Sequence, residues 1–144
     1  MGISKGVELR LTIHNILFDI NVNRKTLNSK SIKNIIESYN ENDLAFINNI
    51  CLNSMRYYFH CMKIIKLYTK KTPKVHEKLL LISSITQLIF LDFKDYAVVD
   101  TSVTLAKKLN IYHGFINAIL RKIIDDKIKL KKIEVNFNDF PEWF

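Results

Sequence analysis

Glycine and proline are scarce in this sequence, with three of the first and two of the second in 144 residues. Folds built from many tight β-turns consume both, so the scarcity argues against them and favours helices. No apolar run is long enough to cross a bilayer. The most apolar stretch, residues 79–93, is interrupted by Ser83, Ser84, Thr86, Gln87 and Asp92 and reads as a buried helix. Residues 1–10 lack the apolar core of a signal sequence. Cysteine is limited to Cys51 and Cys61, both inside apolar helical patterns, which predicts buried thiols in a cytoplasmic protein with no membrane partner. Gly2, Gly6 and Gly114 are too dispersed for a phosphate-cradling loop. His14, His60, His76 and His113 lack carboxylates or cysteines at ligand spacing, so no metal site is expected. No nucleophile stands beside a base, which argues against an autonomous enzyme.

What the chain does have is positive charge. Its 22 Lys and Arg outweigh 14 Asp and Glu, a formal net charge of +8, and the summed field attracts polyanions, nucleic acid first among them. Arginine occurs only at positions 10, 24, 56 and 121, whereas lysine, isoleucine and asparagine abound. An AT-rich coding sequence gives the same bias without a functional cause, and both readings stand at this point. Hydrophobic residues at 48% support a packed core.

Spacing predicts a compact all-α bundle of six to seven helices over residues 1–126, with 127–144 as a tail. The first helix runs from Lys5 to Asn21, its stripe being Ile13, Ile16, Leu17 and Ile20. Ser29 or Ser31 caps a short helix with Ile32, Ile35, Ile36 and Tyr39. From Asp43 an unbroken three-and-four pattern reaches Ile65, as one long helix or two nearly collinear ones with a weak point at Asn53-Ser54. A basic stretch, Lys66 to Lys74, holds Pro73, which fits a first helical turn. The next helix, to Leu91, is apolar all round and is the expected central one. Asp95 is the expected cap of the following helix, with Val98, Val99, Val103, Ala106 and Leu109 inward and Asn110 as its left-handed stop. The last helix covers Tyr112 to Asp126. Residues 127–133 alternate lysine with apolar residues, as a helix end or a strand, before the aromatic ending FPEWF.

The most informative stretch is Tyr112 to Lys122, YHGFINAILRK. At helical spacing Asn117 and Arg121 lie one turn apart on one face, Phe115 and Lys122 two turns apart on another. Arg121 is suited to phosphate oxygens, and Phe115 to stacking against an unpaired base. The same spacing suits Phe115 as core, Asn117 as a loop tie and Arg121 as a solvated surface residue.

These residues carry a resemblance. The run TQLIFLDFKDYAVVDTSVTLAKKL followed by GFINAILRK resembles the C-terminal half of the NusB family domain. Gln87-Leu88, Tyr96 to Val99 and Gly114 to Arg121 are most similar to the version fused in front of 16S ribosomal RNA cytosine 5-methyltransferases. Asp43, Ala45, Phe46 and Ser54-Met55-Arg56 resemble further positions of that domain, and FPEWF resembles the stretch leading into the catalytic regions. The arginine-rich N-terminal motif of antitermination factors is reduced here to Lys5 and Arg10.

The resemblance implies an RNA-binding module for small-subunit ribosomal RNA, with Lys5, Arg10, Arg56, Lys107, Lys108, Phe115, Asn117, Arg121 and Lys122 as RNA-binding candidates. It implies no cofactor in this chain, S-adenosylmethionine entering only if a catalytic domain follows. The alternative it leaves is a free-standing antitermination factor acting with a ribosomal protein. Replacing both Arg121 and Lys122 by Glu is expected to weaken RNA binding without unfolding the domain.

Overall fold

The structure, a computed structural model, describes residues 4–26 and 29–132. Those residues form α1 (Lys5–Asn21), α2 (Lys30–Glu37), α3 (Glu41–Arg56), α4 (Tyr58–Tyr68), α5 (Val75–Ile85), α6 (Asp95–Lys108), α7 (His113–Asp125) and α8 (Lys127–Lys131). A π-helical turn, Thr86–Phe90, continues α5. The fold is all-α, as the periodicity predicts, and no strand occurs among the described residues. None of these helices is long and apolar enough to cross a membrane.

Local chemistry sets the helix starts. Ser4 Oγ accepts from the Val7 N–H at the head of α1, and Asn40 Oδ1 accepts from the Asp43 N–H at 2.8 Å ahead of α3, both satisfying amides that have no partner inside the helix. Before α5, Glu77 Oε1 reaches back to the Lys74 N–H at 2.9 Å. The helix begins at Val75, two residues after Pro73. Between α6 and α7, Asn110 takes φ of 57°, the left-handed stop foreseen for it.

The core is aliphatic and centred on α5, which packs against α1, α3, α4, α6 and α7. Residues 79–89 are all buried, Ile85 completely. Ser84 and Ser102 share a 2.7 Å hydrogen bond where α5 meets α6, small hydroxyls satisfying one another inside an apolar contact. Cys51 and Cys61 are buried, and burial pushes both thiols up to about 12.

Several details depart from expectation. The long third helix breaks at Tyr57 rather than at Asn53-Ser54. Its ring stacks on Phe90 with centroids 3.9 Å apart, so a tertiary contact, and not a local polar pair, fixes the joint. Lys94, with non-helical backbone, and not Asp95 occupies the cap position of α6; Asp95 is the first helical residue, its carboxylate at the positive end of the helix dipole and paired with Lys127. On α6 the buried set is Val98, Ser102, Leu105 and Ala106; Val99 and Val103 line a surface cleft, and Leu109 is half-buried. Residues 127–131 form the helical alternative, with Leu130 buried and Lys131 paired with Asp92. The FPEWF ending lies outside the described residues.

Candidate nucleic-acid interface

The basic stretch between α4 and α5 leaves Lys70, Lys71 and Lys74 exposed. Together with Tyr68 and with Phe115 of α7 it lines a groove of about 360 Å³. Phe115 is half-buried, its inner side packed on the core, so one aromatic side chain serves both as packing and as a groove wall. Lys122 is two turns further along α7 on the same face and exposed. The positive end of the α5 dipole adds to the lysine charges at Lys74. A carboxylate also lines the groove, Glu77, but it is engaged with the Lys74 N–H.

A tyrosine hydrogen bond braces this wall. Tyr68 Oη donates to Asp126 Oδ2 at 2.6 Å, joining the end of α4 to the junction of α7 and α8. Burial, then the neighbouring Asp126, pushes the Tyr68 hydroxyl up to about 12, so it stays protonated as a donor. Lys74 and Glu77 also line a second cleft of about 390 Å³, whose opposite wall is the turn Leu109–Tyr112. Lys107 and Lys108 are exposed just before that turn.

The remaining candidates are dispersed. Arg10 is drawn inward: Nε donates to Gln87 Oε1 at 2.8 Å, Nη1 to the Gly6 carbonyl at 3.2 Å, and the guanidinium lies 5.1 Å from the centre of the Phe46 ring. Burial lowers its pKa. Gly6 leaves room for this, since a Cβ there would lie 3.3 Å from Arg10 Nη1. Lys5 pairs with Asp43 at 2.9 Å across α1 and α3, and the hydrogen bond to Asp43 raises its pKa. Arg56 is exposed at the end of α3, 5.6 Å from the Tyr57 ring centre.

Two faces of α7 therefore diverge, as their spacing requires. Phe115 and Lys122 belong to the basic-groove side, whereas Asn117 and Arg121 line a different cleft, about 630 Å³, between α6 and α7. There Arg121 Nε donates to Asn117 Oδ1 at 3.0 Å. Sequence reasoning missed Lys70, Lys71 and Lys74 as site residues. Their signal was four lysines within Lys66 to Lys74, read as a helix-ending loop because the aromatic that faces them is far away in the chain.

The histidines show a further long-range pairing. His14 Nε2 and His76 Nδ1 are 2.9 Å apart, and the His76 ring stacks on Phe18. His14 is fully buried, and burial, then His76, pushes its pKa down to about 4. Among the described residues no group of three or more His, Cys, Asp or Glu is placed to hold a metal ion.

Fold and groove together define a class: an all-helical bundle presenting a basic, aromatic-walled surface. More particularly, the chain belongs to the NusB family, whose model matches residues 8–125. Proteins of that family bind RNA, and the domain is a non-catalytic fold. No curated protein and no solved structure matches the chain.

Proposed function

We propose that this chain is an RNA-binding module and that the groove between the Lys70–Lys74 segment and Phe115 receives a single-stranded segment of small-subunit ribosomal RNA. The observation that carries the reading is the juxtaposition of three exposed lysines with an aromatic side chain in one groove. Lysines contact phosphates without reading sequence, and an aromatic ring offers an unpaired base a stacking partner. Lys122 extends the basic track along α7. Arg10, with its donors turned to Gln87 and Gly6, acts in this reading by fixing α1 against the π-helical turn.

The finer assignment is to the recognition domain of a 16S ribosomal RNA cytosine 5-methyltransferase. It is supported by the resemblance at Gln87-Leu88, Tyr96 to Val99 and Gly114 to Arg121, and by Gln87 having a partner, Arg10, that explains its place. The module positions RNA, while methyl transfer from S-adenosylmethionine belongs to a separate catalytic domain.

Gel-shift titration against a small-subunit ribosomal RNA fragment at low salt tests the proposal. Binding is expected for the unaltered chain and weakened at least tenfold when Lys70, Lys71 and Lys74 are all replaced by Glu. Absence of binding at low salt overturns it, and methyl transfer by the purified chain alone overturns the division of labour.

A further inference from the structure

We propose that residues 133–144 dock in the α6–α7 cleft of the same chain. This site is separate from the basic groove and does not depend on the RNA reading. Val99 and Val103 of α6 and Ile124 of α7 supply apolar lining, and Tyr96 stands at the cleft 83% exposed. Beside them is a guanidinium already oriented, Arg121 held by Asn117. An apolar cleft flanked by such a group suits an aromatic segment that also carries carboxylates.

Residues 133–144 have that chemistry. They contain Phe137, Phe140, Trp143 and Phe144 together with Glu134, Asp139 and Glu142, and all 22 Lys and Arg of the chain precede them. Position agrees with composition. Helix α8 is tied to the start of α6 by Lys127 on Asp95 and to the preceding loop by Lys131 on Asp92. Because α6 and α7 form an antiparallel pair, Asp95 and Ile124 mark the near end of the cleft, and Val103 and Gly114 the far end. The 14-residue α6 is about 21 Å long, and twelve residues can extend to at most about 40 Å, so the segment is long enough to reach across the cleft. Asp95 and Asp100 also line the cleft; Asp95 is paired with Lys127, so the carboxylates of the segment are expected on the Arg121 side, away from Asp100.

Trp143 is the sole tryptophan and reports on the segment directly. Acrylamide quenching of the full chain is expected to be severalfold weaker than that of N-acetyltryptophanamide. Replacing Val103 with Asp, or the exposed Tyr96 with Ala, is expected to restore free quenching with the far-ultraviolet circular dichroism unchanged. Should Val103→Asp fail to fold, Tyr96→Ala and Arg121→Glu decide the matter. Lys71→Glu, in the other groove, is expected to leave quenching as it was. Free quenching in the unaltered chain overturns the proposal, as does shielding indifferent to the cleft variants. Release by Lys71→Glu overturns it by placing the segment on the basic groove. Shielding that grows with protein concentration overturns it in favour of a second copy.

Discussion

Arg10 is a cation whose hydrogen bonds point into the protein. Gln87, its partner through Nε, is 1% exposed and also donates to the Ser83 carbonyl. Truncating either side of a bond to a charged group leaves a desolvated polar atom behind, at about 1.5–3 kcal/mol. Arg10→Ala and Gln87→Leu are each expected to lower stability by about that amount in urea titrations. An Arg10 that served RNA alone would lose affinity and leave the unfolding midpoint in place. His14 supplies the pH dependence at the same scale. Its folded pKa, about 4, lies below the ordinary 6.5, so the unfolded chain binds the proton more readily. Its contribution is present above about pH 6.5 and declines as pH falls towards 4, a loss of up to about 3 kcal/mol. Unfolding midpoints measured between pH 7 and pH 4 are expected to fall, and less steeply in His14→Leu.

At the scale of elements, Asn110 and Ile85 show where local rules decide and where packing does. Asn110 holds φ of 57° at the α6–α7 joint, a conformation that β-branched residues resist. Asn110→Gly is expected to be tolerated, and Asn110→Val to cost about 1–2 kcal/mol by thermal melt. Ile85 is fully buried in α5, and an Asp there is dry and unpaired. Its cost exceeds about 4 kcal/mol, a large part of the stability of an ordinary domain, so Ile85→Asp is expected to abolish cooperative unfolding. The limits of α1 were legible because Ser4 caps it and its apolar stripe is continuous. The π-helical turn was not, since an i to i+5 bond such as Leu91 N–H to the Thr86 carbonyl leaves no mark on the apolar spacing. The break at Tyr57 was likewise hidden, because it depends on Phe90 from a distant helix.

For the whole molecule, the apolar pattern carried the bundle, whereas the site required three dimensions. Helical spacing alone separated Phe115 and Lys122 from Asn117 and Arg121, and that division agrees with the two surfaces of α7. It could not bring Lys70, Lys71 and Lys74 to Phe115, because the relation depends on how α4 and α5 pack beside α7. Net charge predicted attraction to polyanions without locating it. RNA binding in the basic groove is tested most directly by a salt titration of single-stranded RNA binding, comparing the unaltered chain with Lys70→Glu/Lys71→Glu/Lys74→Glu. Log affinity is expected to fall linearly with log salt, with a slope shallower by about 2 in the triple variant as three phosphate contacts are lost. Equal affinity and slope in the two proteins, or no binding at low salt, would contradict it.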